Sequence, residues 1–170
     1  MDACFFYRFP VKGNVHYTIK IVAMNIIFVC HGNICRSAMA EYIFKDMAAA
    51  MGRGADFEVS SAAVSYEEEG SPMYPAARRT LAAHGVPDGE HRAHRITQRE
   101  FDAADLVVIM DSSNASILGR IIEGGDGAKV RKLMSFAGSS RDVADPWYTR
   151  DFETTYNDLA EGCSAILRQF

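Results

Sequence analysis

The sequence predicts an α/β fold in which helices cover both faces of a parallel sheet. Short apolar runs rich in β-branched residues alternate with amphipathic stretches along the chain. At 170 residues, 48% of them hydrophobic, the chain is long enough to close one sizeable core. The first strand is expected at residues 24–30, and a helix is expected from Ser37 to about Met51.

The later elements follow from turn and cap signals. A second strand is expected at residues 57–61 and a helix at 75–84, with Pro75 near its start and Gly85 as its stop. Thr97 and Glu100 have capping-box spacing and predict a short helix before a strand at 106–110. Ser112 or Ser113 is expected to cap a helix running to about residue 123. A weaker strand (129–134) and an amphipathic helix from about residue 151 complete the order.

Composition excludes several classes of function. The net charge is -4 and the 18 Lys and Arg residues are scattered, so no nucleic-acid or membrane partner is expected. The most apolar stretch, residues 19–30, is too short for a membrane span, and no signal peptide stands out at the N-terminus. Four cysteines are too few for a disulfide-stapled secreted domain, which favours a reduced, cytoplasmic protein.

The stretch from Cys30 to Ser37, CHGNICRS, reads as a loop between a strand and a helix start. Such a loop directs unpaired backbone N–H groups toward one point and forms an anion site. Gly32 permits positive φ and close backbone approach, Asn33 tolerates the left-handed region, and Arg36 can hold two phosphate oxygens. The same field stabilises a thiolate at Cys30, and Ser37 can donate a hydrogen bond to its sulfur.

Other readings of the loop fit less well. The two cysteines lack the second ligand pair that a zinc site needs. The glycine patterns of nucleotide and dinucleotide loops are absent. If the two cysteines were only buried core residues, the presence of Arg36 and Ser37 in the same stretch would be unexplained.

Residues 30–37, together with Asp145-Pro146-Trp147-Tyr148, resemble the signature elements of the low-molecular-weight protein tyrosine phosphatases over residues from about 24 to 169. The resemblance implies a three-layer sandwich with a four-stranded parallel sheet in a flavodoxin-like winding. It also implies phosphotyrosine hydrolysis through a cysteinyl-phosphate, without a metal or cofactor. Residues 1–23 would then be an N-terminal extension to a domain at 24–170. The extension would result from a start codon assigned too far upstream, which we favour, or it would form a hairpin turning at residues 12–14.

The resemblance assigns roles to individual residues. Cys30 would be the nucleophile, Arg36 would bind phosphate, and Asp145 would act first as general acid and then as general base. Asp111 and Asn114 would support the loop region. The remaining assignments are to the phosphate-binding loop (His31, Gly32, Asn33, Ile34, Cys35 and Ser37), to the support of Asn33 (Ser61 and His91), and to an aromatic substrate wall (Tyr66, Trp147 and Tyr148).

Two departures from the family pattern bear on the site. Ala38 stands where many relatives have proline, which should change the chemistry little. Glu67 stands about where relatives often have an aromatic residue, and Tyr66 is expected to substitute for it. The glutamates at 67–69 would repel acidic phosphopeptides if they faced the pocket, but we expect a solvated loop.

The sequence also bears on three rival functions, two on the same scaffold and one a binding module without turnover. An arsenate reductase relay needs cysteines that are absent between Cys35 and Cys163. Protein-arginine phosphatases tend to have Thr at the position of Ile34, and a phosphotyrosine-binding module would have no use for an acid at Asp145. The expected partner is a phosphotyrosine-containing protein, a tyrosine kinase among the candidates, and the expected state is a monomer or weak homodimer. Under oxidation, Cys35 is expected to capture a Cys30 sulfenic acid as a disulfide.

Overall fold

Four parallel strands form the sheet that carries the site. The computed structural model describes residues 6–7, 19–20 and 22–170. In chain order the strands are β1 (Phe6–Tyr7), β2 (Ile19–Lys20), β3 (Met24–Cys30), β4 (Phe57–Ala63), β5 (Leu106–Ile109) and β6 (Val130–Lys132). The strands β4-β3-β5-β6, in that spatial order, make the parallel sheet, and β1 pairs with β2 antiparallel. The turn considered at residues 12–14 lies outside the described residues.

Helices cover both faces of this sheet. They are α1 (Arg36–Ala50), α2 (Pro75–Ala83), α3 (Gln98–Ala103), α4 (Ser112–Ile121), α5 (Leu133–Phe136), α6 (Pro146–Thr149) and α7 (Phe152–Gln169). The alternation of side chains along β3 divides the core, with Ile26 and Phe28 packing among residues of α1 and α7 and Ile27 and Val29 packing toward α3 and α4. The predicted three-layer α/β fold is therefore confirmed.

Local caps explain where several helices begin. The predicted capping box is present, because Thr97 accepts from the Glu100 backbone N–H and Glu100 accepts from that of Thr97. The prediction that Ser112 or Ser113 caps α4 is wrong, since Asp111 accepts from the Asn114 N–H at 2.7 Å. A carboxylate one residue earlier supplies a stronger acceptor at the positive end of the helix.

The short helices α5 and α6 were not predicted. Each has only four residues, which is too short for a periodic pattern to show. Within the described part of the chain, no helix combines the length and apolar character needed to cross a bilayer.

Candidate active site

The loop between β3 and α1 wraps around the Cys30 sulfur. The Asn33 backbone N–H donates to Cys30 Sγ at 3.3 Å, and Ser37 Oγ lies 3.1 Å from the same sulfur. Asn33 takes the left-handed conformation with φ of 57°, as its side-chain type allows. Cys30 and Ser37 are both buried, so these contacts form away from bulk water. The sulfur is thus contacted by a backbone N–H group and a hydroxyl group at the start of α1.

Gly32 has a different reason to be glycine than the predicted positive φ. It is not among the positive-φ residues of the described chain. A Cβ at this position would lie 3.2 Å from Cγ of Glu68, so a side chain here would press on the glutamate that packs over the loop. Close approach, and not a special φ, is what this position requires.

Three atoms of Asn33 (Nδ2, Oδ1 and the carbonyl oxygen) are held by four hydrogen bonds. Its Nδ2 donates to Ser37 Oγ and to Ser61 Oγ, both at 2.9 Å. His91 Nε2 donates to its carbonyl oxygen at 2.6 Å, and the His94 N–H reaches its Oδ1 at 3.4 Å. The structure therefore places Ser61 and His91 against Asn33, and through it they fix the left-handed turn of the loop.

Arg36 is buried and makes three hydrogen bonds. Nη1 donates to Asp111 Oδ2 at 2.6 Å and to the Val143 carbonyl at 3.2 Å, and Nη2 donates to Asp145 Oδ2 at 2.6 Å. Burial opposes the charge, but Cys30 and the two carboxylates more than offset it and hold the pKa of Arg36 above its ordinary value. The guanidinium is thereby fixed in one orientation beside the sulfur.

Asp145 is the N-cap residue of α6, and it lines the cleft. Its Oδ1 accepts from the Trp147 N–H at 3.0 Å, while Oδ2 faces Arg36. Pro146 occupies the first helical position, where its missing N–H costs nothing. The carboxyl group therefore lies in the same cleft as Cys30, although 115 positions separate the two residues in the sequence.

One cleft of about 350 Å³ joins these groups. Asn114 lines it, and its Oδ1 also accepts from the Met110 N–H at 3.2 Å at the end of β5. Of the predicted site residues, the cleft is lined by Cys30, His31, Gly32, Ile34, Cys35, Arg36, Asp111, Asn114, Asp145, Trp147 and Tyr148.

The substrate wall differs from the prediction at Tyr66. Tyr66 is not among the cleft residues, and Arg95 lies over its ring at 4.5 Å. Trp147 does line the cleft, and Tyr74 packs edge-on against its ring with a centroid distance of 5.6 Å. The sequence did not indicate Tyr74, whose N–H also donates to the Ile34 carbonyl at 2.8 Å. An aromatic residue directly before a helix-opening proline was the available signal.

Glu67 and Glu68 line the cleft, so the expectation of a merely solvated loop is wrong for these two. Glu67 Oε2 lies 3.0 Å from His31 Nε2, and Glu68 packs over Gly32. The third glutamate, Glu69, turns away and accepts from the Arg95 N–H at 3.0 Å. One rim of the cleft is therefore acidic.

The described cysteines Cys30, Cys35 and Cys163 are all free and buried. Burial and the nearby Cys30 raise the pKa of Cys35 to about 12, so Cys35 is a neutral thiol at neutral pH. Among the described residues, no group of three or more His, Cys, Asp and Glu side chains is arranged to hold a metal ion.

These groups can together carry out a nucleophilic displacement on a phosphoryl group. The sulfur can act as a nucleophile, the guanidinium and loop N–H groups can bind phosphoryl oxygens, and the carboxyl group can move a proton. An exposed aromatic side chain at the mouth, Trp147, offers a surface for a flat substituent.

Comparison with known proteins adds to this geometry. The profile of a family described as low molecular weight phosphotyrosine protein phosphatase matches residues 25–170. The low molecular weight protein-tyrosine-phosphatase YfkJ of Bacillus subtilis is 30% identical over 146 residues, covering 85% of this chain and 94% of that protein. The human low molecular weight phosphotyrosine protein phosphatase is 33% identical over 150 residues, covering 85% of this chain and 94% of the human protein.

Solved structures agree with the fold. The crystal structure of YfkJ superposes with a TM-score of 0.82, covering 87% of this chain and 94% of that one. The crystal structure of DARP, a Drosophila arginine phosphatase, superposes with a TM-score of 0.79 at 27% identity, covering 86% of this chain and 97% of that one.

Proposed function

Because this chain belongs to the low molecular weight phosphotyrosine protein phosphatase family, we propose that it hydrolyses phosphotyrosine through a phosphorylated Cys30. The observation that carries the proposal is the position of Arg36. Arg36 lines the same cleft as Cys30, and its Nη2 donates to Asp145 Oδ2 at 2.6 Å. Nucleophile, phosphate ligand and proton donor thus meet in one cleft.

The first chemical step transfers the phosphoryl group to sulfur. The Cys30 thiolate attacks phosphorus, the bond from phosphorus to the tyrosyl oxygen breaks, and protonated Asp145 gives its proton to the departing oxygen. Arg36 and the N–H groups of the loop neutralise the charge on the phosphoryl oxygens. Tyrosine leaves, and Asp145 remains as a carboxylate.

The second step releases phosphate. The Asp145 carboxylate takes a proton from a water molecule, whose oxygen attacks phosphorus as the sulfur–phosphorus bond breaks. Inorganic phosphate departs and the Cys30 thiolate is restored. A hydrogen bond from Ser37 stabilises that thiolate as a leaving group, consistent with the 3.1 Å separation of Oγ and Sγ.

Substrate binding must rearrange Arg36. In the free protein both Nη atoms are held by carboxylates. A bound phosphoryl group needs the same donors, so we infer that it takes the place of Asp145 on Nη2 while Asp111 keeps Nη1. The freed Asp145 takes up a proton from solvent and can then give it to the leaving oxygen.

The direct test is hydrolysis of p-nitrophenyl phosphate and of a phosphotyrosine peptide. Wild-type protein should turn over both substrates, vanadate should inhibit it, and Cys30→Ser should be inactive while keeping its fold by circular dichroism. Binding of the phosphopeptide without turnover by the wild type would instead indicate a phosphotyrosine-binding module.

An arginine phosphatase is the second candidate, because the Drosophila structure named above shares this fold. Ile34 lines the cleft here, and its apolar side chain favours a flat aromatic ring over a guanidinium. We expect kcat/KM for phosphotyrosine to exceed that for phosphoarginine. The reverse order of the two kcat/KM values would favour the second candidate.

The acidic rim bears on the choice of protein substrate. Glu67 and Glu68 line the cleft in which the phosphate would bind, so we propose that basic residues flanking phosphotyrosine are preferred over acidic ones. In the Glu67→Gln, Glu68→Gln double variant, the ratio of kcat/KM for Lys-flanked peptides to kcat/KM for Glu-flanked peptides should fall toward 1. Glu123→Gln, at another exposed glutamate, is the matched control and should leave the ratio unchanged.

We propose that Cys35 protects Cys30 during oxidation. Peroxide converts the Cys30 thiolate to a sulfenic acid, the Cys35 thiol attacks that sulfur, and a disulfide forms as water leaves. Because the Cys35 pKa is about 12, the attack requires loss of its proton to the departing hydroxide. If the Cys35→Ser variant is inactivated by peroxide and still recovers full activity when thiol is added, that result would count against this role.

The remaining assignments concern the setting of the enzyme. We propose a cytoplasmic phosphatase that acts as a monomer or weak homodimer, with a tyrosine kinase among its substrates. The small number of cysteines, four in the chain, supports a reducing compartment. Substrate trapping from the source cell's lysate with Cys30→Ser would identify the protein partner.

A further inference from the structure

An ion pair outside the cleft holds the segment that leads to Asp145. Residues 137–145 connect α5 to α6, and Arg141 lies within this segment. Its Nη1 donates to Asp158 Oδ2 at 2.6 Å and its Nη2 to Asp158 Oδ1 at 2.7 Å. This is a two-point contact between planar groups, and the Asp158 side chain, on α7, is only 11% exposed.

A second contact from α7 lies closer to the acid. Thr155 Oγ1 lies 3.3 Å from the carbonyl oxygen of Ala144, next to Asp145, and shares its proton between this oxygen and that of Asp151 at 3.1 Å. Thr155 and Asp158 are three positions apart and so share a face of the helix. Between the two contacts, the Val143 N–H donates to the Met110 carbonyl at 2.9 Å at the end of β5. The C-terminal half of the segment is thus fastened to α7 at residues 141 and 144.

The contacts of Asp145 itself change during the reaction. Its Oδ2 is held by Arg36 in the free protein, and the proposed function requires substrate phosphate to take over that donor. The Oδ1 contact to the Trp147 N–H is local to α6 and moves with it. In the substrate complex, Asp145 therefore depends on the backbone anchors of its segment for its position.

We propose that Arg141 and Asp158 are positioning residues for the general acid. The inference rests on the proposed function, because it assigns a role relative to Asp145. Proton transfer requires hydrogen-bond reach, and a misplacement of about 1 Å can cost on the order of 10²-fold in rate. The two-point contact restricts the segment four residues before Asp145 and keeps the carboxyl group over the leaving oxygen.

The test separates positioning from stability by the choice of leaving group. A tyrosyl oxygen needs a proton to leave, whereas the far more acidic p-nitrophenol leaves with little help. In Arg141→Met, kcat/KM for a phosphotyrosine peptide should fall about tenfold, and that for p-nitrophenyl phosphate by no more than about threefold. Vanadate affinity, which reports the phosphate loop, should stay unchanged. Assays run well below the melting temperature of each variant.

Matched variants complete the design. Arg78→Met breaks the Arg78–Asp88 pair at 2.6 Å on the surface and should change neither rate. Asp158→Asn should reproduce the leaving-group effect from the other partner, and it serves if Arg141→Met does not fold. Arg141→Lys keeps the charge but loses the two-point contact, so it should fall between wild type and Arg141→Met.

Equal losses on both substrates, or no loss, in the folded variants would overturn the inference. Asp145→Asn in the same experiment shows which proposal has failed. If Asp145→Asn is selective for the leaving group and the Arg141 and Asp158 variants are not, the positioning role alone is wrong. If Asp145→Asn shows no selectivity either, the proposed function is wrong in its assignment of the acid.

Discussion

Replacing Asp145 with Asn removes the proposed proton donor and little else. Asn caps a helix about as well as Asp, so its side-chain oxygen should keep the hydrogen bond from the Trp147 N–H at 3.0 Å and α6 should stay folded. What disappears is the acid and the charge that faces Arg36 at 2.6 Å. The variant therefore removes the proton donor and its charge while leaving the helix cap in place.

The size of the effect follows from the role. General acid catalysis contributes about 10² to 10⁴ in rate, so kcat/KM for a phosphotyrosine peptide should fall by that factor. This corresponds to about 3 to 5 kcal/mol in the barrier, at about 1.4 kcal/mol per tenfold change. The loss with p-nitrophenyl phosphate should be smaller, because its leaving group needs the proton less.

A second effect should run in the opposite direction. The carboxylate of Asp145 competes with phosphate for Nη2 of Arg36, and a neutral amide competes less because charge-assisted hydrogen bonds are about twice as strong as neutral ones. Vanadate affinity should therefore rise, by up to about tenfold, which equals about 1.4 kcal/mol. Loss of activity combined with gain of affinity is a pattern that general misfolding cannot produce.

The control and the refuting result are both specific. Asp151→Asn changes the capping aspartate of the neighbouring helix α7, whose Oδ1 accepts from the Thr154 N–H at 2.9 Å, and should leave both substrates within about twofold. If Asp145→Asn hydrolyses phosphotyrosine within about threefold of wild type, a general acid of the expected strength is absent from this position.

Two further predictions concern stability. Gly162→Ala should lower the free energy of unfolding by about 1 to 3 kcal/mol, because its Cβ would lie 2.3 Å from Cγ of the buried Leu133. The control Gly119→Ala, with no atom near its Cβ, should be neutral or stabilising. Urea unfolding measures both variants. Asp142 has a lowered pKa because Lys132 donates a hydrogen bond to it, so its contribution is present above the unfolded-state pKa of about 4 and lost as the pH falls through the lower folded value. The melting temperature of Asp142→Asn should thus lie below wild type at neutral pH and converge with it in acid; a constant difference would contradict the assignment.

Local patterns in the sequence predicted what depends on near neighbours. The strand ending at Cys30, the loop curling to Arg36 and the capping box at Thr97 involve residues within a few positions of one another, where spacing and residue type determine the backbone. The left-handed conformation of Asn33 was also within reach, because few other residue types accept it.

Contacts between distant segments were not predictable in this way. Asp111 lies 75 positions from Arg36, and only the pairing of β3 with β5 brings the two side chains to 2.6 Å. The direction of a loop side chain has the same dependence. Arg95 forms a bridge to the end of β4 and contacts the ring of Tyr66 outside the cleft. Glu67 lines the rim of the cleft instead.

The most direct test of the mechanism is capture of the phosphorylated enzyme. Wild-type protein turning over p-nitrophenyl phosphate is quenched rapidly in acid, digested, and analysed by fragment-ion mass spectrometry for the peptide that contains both Cys30 and Cys35. We predict one phosphate on Cys30. The phosphorylated fraction should be larger in Asp145→Asn if this substitution slows hydrolysis of the intermediate more than it slows formation of the intermediate. Turnover without any cysteinyl-phosphate, or with phosphate on Cys35, would contradict the assignment of Cys30 as nucleophile.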